Sequence, residues 1–186
     1  MIGSIEVICG PMFCGKTEEL IRRLRRESIA RRNILAFKHA ADDRYDGTSS
    51  YASHAGIRWP CFPVKDTFDL RSRLLGGTEV VGIDEIQFFD EAVLGLIDTL
   101  ANQGVRVICA GLDQDYRGRP FAFMGTLLAM ADRVDKMTAV CVKCAAPATK
   151  TFRKTQSDEL IVVGAADAYD ARCRACHYEG YGDHNV

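Results

Sequence analysis

The chain has 186 residues, 47% of them hydrophobic, with 24 Lys and Arg against 25 Asp and Glu for a net charge of −1. That length and apolar share suit one domain, or one with a small appendage, around a proper core. The near-neutral charge gives no global pull towards nucleic acid or an anionic membrane, and no apolar run approaches the roughly 20 residues that span a bilayer.

The first residues run straight into a strand-like segment, without the basic and apolar regions of a leader, so the expected location is the cytoplasm. Residues 4–9 (SIEVIC) form a short β-branched run that ends in glycine, which predicts a strand. Residues 16–32 place Leu20, Ile21 and Leu24 on one side and arginines elsewhere, the spacing of a helix. Residues 33–38 predict the next strand, 66–75 a helix, and 79–83 (EVVGI) a buried strand. Over 90–103 the apolar residues Val93, Leu96, Ile97 and Leu100 recur at helical spacing, and Gly104 stops the run. Residues 105–110 predict another buried strand. Such alternation predicts an α/β domain whose mostly parallel sheet is flanked by helices, over residues 1–138. Two segments, 39–56 and 112–123, read as long loops of the kind that carry function. From about residue 136 the runs shorten and no long helix pattern is seen.

Gly10-Pro11-Met12-Phe13-Cys14-Gly15-Lys16-Thr17 fits G-x-x-x-x-G-K-[ST] in full, between the first strand and the first helix. The glycines let the backbone curl so that N–H groups face phosphate oxygens, and the helix start adds its positive end. Lys16 would reach the β- and γ-phosphates and the Thr17 hydroxyl would ligate Mg²⁺. The buried run 80–83 then ends in Asp84 and Glu85, the acidic partner that such a site needs. Asp84 would hold Mg²⁺ through water, and Glu85 would take the proton of an acceptor hydroxyl. A merely structural carboxylate is the plainer reading of Glu85. Together these residues predict a P-loop, RecA-like domain that uses ATP and Mg²⁺.

Of the eight cysteines, Cys9, Cys61 and Cys109 sit in apolar runs and read as core. Cys141-x-x-Cys144 and Cys173-x-x-Cys176 are different. In a reducing compartment this paired spacing predicts a closed, structural zinc site of four thiolates. His177 is an alternative ligand, and Lys143, Arg172 and Arg174 are placed to offset the site's charge. Pinning residues 145–172 at both ends would leave a loop ordered at its base and able to clasp a substrate at its tip. We therefore expect a zinc-binding lasso domain over 139–180 and a tail over 181–186.

These motifs resemble, in order from residue 2 to about 180, the cellular-type (type II) thymidine kinases. The phosphate loop is close to that family's, and 83–89 (IDEIQFF) is similar to its second nucleotide motif, which adds Ile86 and Gln87 to the expected nucleotide site. Residues 112–121, 138–141 and 164–176 resemble its substrate-flanking loop, the start of its zinc unit and its C-terminal signature. The resemblance implies transfer of the ATP γ-phosphate to the 5′-hydroxyl of thymidine, with Glu85 as base. It implies that thymidine lies against Met12, Phe88, Leu112, Tyr116 and Phe121, under a lasso carrying Thr151, Val162, Gly164 and Tyr169. Asp42 and Arg44 match a loop near the phosphates, where Arg44 would stabilise charge; a surface arginine is the plainer reading. A homotetramer, inhibited by thymidine triphosphate and bound to neither nucleic acid nor membrane, is also implied.

Three positions depart from the family pattern. Cys14 stands where serine is more common, Tyr116 where phenylalanine is, and Ile86 is bulkier than the usual residue. A thiol beside a helix N-terminus is expected to ionise easily, which would make nucleotide binding sensitive to oxidation. The basic stretch of Arg22, Arg23, Arg25, Arg26, Arg31 and Arg32 reads as a solvated or interface helix face. Rival readings are a kinase for another deoxynucleoside, a P-loop ATPase with a nucleic-acid-binding zinc ribbon, and a nucleotide sensor without transfer.

Overall fold

The computed structural model describes residues 3–40, 50–52, 58–155 and 167–181. The chain opens with β1 (Ser4–Cys9), the phosphate loop and α1 (Lys16–Ile29). It continues through β2 (Ile34–His39), three short strands β3 (Ser50–Ala52), β4 (Arg58–Pro60) and β5 (Phe62–Val64), and α2 (Thr67–Ser72). Next, β6 (Val80–Asp84) runs into a 3-10 turn at Ile86–Phe88, followed by α3 (Ala92–Asn102) and β7 (Arg106–Gly111). Then come α4 (Met124–Met130) and β8 (Arg133–Lys136). The C-terminal part holds β9 (Ala139–Val140), β10 (Pro147–Ala148), β11 (Lys150–Arg153), β12 (Tyr169–Arg172) and α5 (Arg174–Tyr181).

The order β5-β2-β6-β7-β1-β8 makes one six-stranded sheet in which every neighbouring pair is parallel. The expected α/β sheet flanked by helices is therefore present. The expected helix over 16–32 stops at Ile29 because Arg31 turns into the left-handed region, at φ 59°. The helix over 66–75 shortens to Thr67–Ser72, with the Asp66 carboxylate accepting from the Asp69 amide at 2.7 Å as its N-cap. Within the expected loop over 39–56, β3 forms an antiparallel pair with β4. Neither α4, β8 nor α5 was legible in the sequence. Each is short, and α5 buries His177 alone, so it carries no apolar stripe to detect.

Side chains alternate between two cores. Phe37, Val81, Ile83 and Val107 face α3 and α4, against Ile97, Leu100, Met124 and Leu127. Ala36, Val80, Ile8 and Ile108 face α1, against Leu20, Ile21 and Leu24. Each such buried side chain contributes about 1.5–3 kcal/mol relative to exposure, enough to hold α1 flat on the sheet. Gly82 permits the closest approach, since a β-carbon there would stand 3.0 Å from Leu24 Cδ1. With α1 so placed, its first turn lies at the C-terminal ends of the strands. There β1 leads towards β2 on one side while β8 lies on the other, the crevice where such sheets bind ligands.

Part of the basic face of α1 enters an ion-pair network at the other end of the sheet. Buried Arg23 donates to Glu6 at 2.7 Å, to Asp135 at 2.7 Å and to Glu19 at 2.9 Å. Arg106 bonds Glu6 at 2.7 Å and also pairs with Glu27. Burial raises the Glu6 carboxyl, but Arg106 and Arg23 together outweigh it and hold the group below its ordinary value. Arg22, with help from Arg23, holds Glu19 at about 2. Arg133 and then Arg23 hold Asp135 low. Folded values below the unfolded ones mean stability that is fully present above about pH 4.5 and is lost as pH falls towards 2. Replacing Arg23→Met removes one partner of a buried pair and should cost roughly 3 kcal/mol at pH 7. Thermal melts from pH 7 to pH 2.5 check this: the variant should start lower and fall less steeply between pH 4.5 and 2. An equally steep fall would rule the network out as the acid-sensitive element.

Candidate active site

The phosphate loop is built on conformations that few residues adopt. Gly10 has φ 143°, and a β-carbon there would meet the Met137 carbonyl oxygen at 2.5 Å. Phe13 and Gly15 are both left-handed, and Gly15 occupies the N-cap of α1 without any side-chain cap. The first-turn amides of α1 therefore face the loop interior, open to an anion. Lys16 is buried and lies across the loop, with Nζ donating to the Pro11 carbonyl at 2.8 Å.

Opposite it stands the end of β6. The Thr17 hydroxyl donates to Asp84 Oδ2 at 2.8 Å, so residues far apart in sequence meet at hard oxygen atoms. That donor set suits Mg²⁺, which takes one or two protein oxygens and keeps waters and phosphate as its other ligands. Asp84 Oδ1 accepts the amide of Glu85, and Glu85 itself is held left-handed at φ 51° while buried. A buried, non-glycine residue in that region is kept there by its surroundings, a pattern that clusters at active sites. Gln87 supplies part of the constraint, donating to Glu85 Oε2 at 2.6 Å. Its other amide atom accepts from the Leu112 amide at 3.0 Å. Gln87 thus bridges the two loops after β6 and β7. The bridge depends on Gly111, where a β-carbon would meet Gln87 Oε1 at 2.5 Å. Ile86 points elsewhere, fully buried in the core that α3 covers, so only its main chain could serve a nucleotide.

The residues expected around a nucleoside fall into two groups. Phe88 meets Phe121 edge-on at 6.1 Å, and with Leu112 they pack on the core that α3 covers. On the other side Thr151, in β11, accepts the Met12 amide at 3.0 Å, tying the phosphate loop to the C-terminal part. Tyr169 is buried in β12, and Arg153 links it to Tyr116. The Arg153 guanidinium lies 3.8 Å over the Tyr116 ring while donating to the Tyr169 hydroxyl at 3.0 Å. Sequence reading missed Arg153, because nothing in its local pattern marks it. It also missed the ion pair of Lys136 with the sealed Asp113 carboxylate at 2.6 Å. Asp42, Arg44, Val162 and Gly164 lie outside the described residues.

Cys14 does not behave as its place in the loop suggests. Burial pushes its thiol above the ordinary value, outweighing Lys16 and the loop amides that favour ionisation. Burial thus opposes the easy ionisation expected from the loop, and with it oxidation, since the thiolate is the reactive form. Peroxide at neutral pH should inactivate the wild type and Cys14→Ser at equal rates, each measured against its own starting activity. Faster loss in the wild type would show that the buried thiol is reached after all.

Four sulfurs complete the site's frame. Cys141, Cys144, Cys173 and Cys176 place their sulfurs within 4.8 Å of one another, and Cys144 Sγ lies 3.6 Å from Cys173 Sγ. Tetrahedral zinc with Zn–S bonds of 2.3 Å needs sulfurs roughly 3.8 Å apart, so the set fits that ion. Burial opposes ionisation of Cys141, but amides of Cys173, Lys143 and Cys144 outweigh it and bring it to about 6. Its neighbours push Cys176 up to about 12. The alternative ligand His177 is occupied elsewhere, its Nε2 lying 2.8 Å from the Tyr116 carbonyl oxygen. Arg172 stays beside the cluster, donating to the Cys176 carbonyl at 3.4 Å while it lies 3.3 Å over the Phe152 ring and pairs with Asp170.

No helix among the described residues is long and apolar enough to cross a membrane. A family model described as thymidine kinase matches residues 3–177, nearly the whole chain. With a phosphate loop facing a paired carboxylate and a four-cysteine cluster beside it, the chain belongs to the thymidine kinase family and is a phosphotransferase.

Proposed function

We propose that the protein transfers the γ-phosphate of ATP to the 5′-hydroxyl of thymidine, giving ADP and dTMP. The observation that carries this reading is the Thr17–Asp84 contact beside the constrained Glu85, within a chain of this family. On nucleotide binding, Lys16 exchanges the Pro11 carbonyl for the β- and γ-phosphate oxygens. Loop residues 10–17 wrap the phosphates, residues 13–17 supplying main-chain amides, and Asp84 to Gln87 close the other wall. Thr17 and Asp84 would hold Mg²⁺, which neutralises charge on the phosphates when bound.

Glu85 accepts the proton of the 5′-hydroxyl as the O5′–phosphorus bond forms and the bond to the β-phosphate oxygen breaks. ADP leaves with that electron pair. Gln87 fixes the plane of the Glu85 carboxylate, so the base is aimed before substrate arrives. Thymidine would lie between Met12, Phe88, Leu112, Tyr116 and Phe121 on one side and the lasso with Thr151, Val162, Gly164 and Tyr169 on the other. Arg44 would face the transferring phosphate. We place the catalytic domain at 1–138 and the zinc-binding lasso at 139–180, with zinc at the four cysteines.

Family membership also supports a homotetramer inhibited by thymidine triphosphate. A reducing compartment such as the cytoplasm suits four thiols gathered for a metal. A nucleic-acid-binding role is less well supported, because the net charge is −1 and Arg22 and Arg23 of α1 are paired with Glu6, Glu19 and Asp135. The test is phosphate transfer from Mg·ATP to a panel of deoxynucleosides. Transfer to thymidine above all others is expected. Transfer to a different deoxynucleoside would replace the substrate, and ATP binding without any transfer would replace the kinase reading with a sensor.

A further inference from the structure

Lys38 is a second buried lysine at the phosphate end of the sheet, and neither the sequence motifs nor the reaction above uses it. It is the fifth residue of β2, and as a whole residue it is 5% exposed. Among the described residues its side chain has neither a hydrogen-bond nor an ion-pair partner. Its register fixes where it stands. β2 and β6 run parallel with Ala36 opposite Gly82 and Lys38 opposite Asp84. Ala36 faces α1, whereas Phe37 faces the opposite core. By strand alternation Lys38 lies on the α1 face with Ala36, and Asp84, bonded to Thr17 of α1, lies on that face too. Neighbouring strands are roughly 4.8 Å apart, so the two side chains start side by side at the same end of the sheet.

An ammonium on a largely buried side chain, unpaired among the described residues, is stabilised by a ligand anion that meets it. The adjacent carboxylate does not: no ion pair joins Lys38 to Asp84, which instead holds Thr17. An anion would complement Lys38, and the group that the reaction brings here is the terminal phosphate of the nucleotide. We propose that Lys38 contacts the transferred phosphoryl group, as a second lysine acting with Lys16. Lys16 lies on the loop and reaches both β- and γ-phosphates; Lys38 comes from the strand beside Asp84 and meets only the γ-phosphate. Its flexible four-carbon stem suits a point charge that follows the phosphoryl group as it moves. This role rests on the kinase reading above.

The difference between ATP and ADP isolates the contact, because only ATP carries the γ-phosphate. Affinities of both nucleotides are measured for the wild type, Lys38→Met and Lys38→Arg, with kcat for thymidine and the Tm of the ligand-free proteins. Lys38→Met should weaken ATP about tenfold or more and ADP less than threefold, and should lower kcat by about a hundredfold. Lys38→Arg should keep most of the ATP preference. The ligand-free Lys38→Met protein should melt no lower than the wild type, since an uncompensated buried charge is gone. A structural lysine gives the opposite result: a lower Tm, with ATP and ADP weakened together. An ATP-to-ADP ratio within threefold of wild type overturns the proposal whatever the Tm. If Lys38→Met does not fold, Lys38→Gln gives the same ratio. A wild type that fails to bind ATP would instead sink the kinase reading, so the two failures are told apart.

Discussion

Glu85→Gln lowers the turnover of phosphate transfer by about 10²–10⁴-fold while ATP affinity stays within about twofold. The substitution keeps shape and removes only the ability to take a proton. The bond with Gln87 survives, because the new amide oxygen can accept from Gln87 Nε2 where Glu85 Oε2 does now. Asp84 and Thr17 are untouched, so the metal end of the site is intact. At 1.36 kcal/mol per tenfold change, the loss corresponds to about 3–5 kcal/mol of transition-state stabilisation. Steady-state kinetics with Mg·ATP and thymidine, alongside equilibrium ATP binding, measures both halves. Turnover within threefold of wild type would remove Glu85 from the role of base. A parallel loss of ATP affinity would mean that the carboxylate serves the nucleotide instead.

Removing the metal from the four cysteines should have the other large effect. The core cluster of the C-terminal part is small: Ala139, Cys141, Ala148 and Ala171, together with Cys14 of the phosphate loop, and the other buried apolar residues described there are Phe152, Ala168 and Tyr169. So few buried apolar side chains supply too little area by themselves to order two two-stranded sheets and one short helix. A structural zinc supplies about 10–16 kcal/mol to such a unit, comparable with the whole stability of a typical domain. Cys173→Ser, or exhaustive chelation, should release about one zinc per chain and unfold the unit. The six-stranded sheet should persist, because its two large cores contain none of the four metal-site cysteines. Thymidine transfer should disappear, since β11 carries Thr151 and β12 carries Tyr169. ATP binding should weaken by less than tenfold, the cost of losing the Thr151 bond to the Met12 amide. Metal analysis, far-UV circular dichroism and nucleotide binding on the same samples check these outcomes. Undiminished thymidine transfer by zinc-free protein would show that the cluster is dispensable.

Local, contiguous patterns were legible in the sequence. The phosphate loop can be read because its glycines, Lys16 and Thr17 act within eight consecutive residues between a strand and a helix. The buried run ending at Asp84 and Glu85, the alternating strands and helices, and the paired cysteine spacings are likewise short-range signals. Each reflects a period or a chelate that neighbouring residues impose by themselves. Resemblance to a family extended this to thymidine, but not to the contacts that hold the pocket.

Tertiary structure alone decided which distant groups meet and how water is excluded from them. Thr151 reaches the Met12 amide across 139 residues, and Gln87 joins Glu85 to Leu112 only because Gly111 leaves room. Arg153 lies between Tyr116 and Tyr169 through strand pairing that local periodicity does not record. Lys38 gains meaning only from its register with Asp84. Cys14 shows the physical reason most directly. From sequence it is a thiol at a helix start, where ionisation is favoured; in the fold it is buried against the four-cysteine unit, and desolvation reverses the sign.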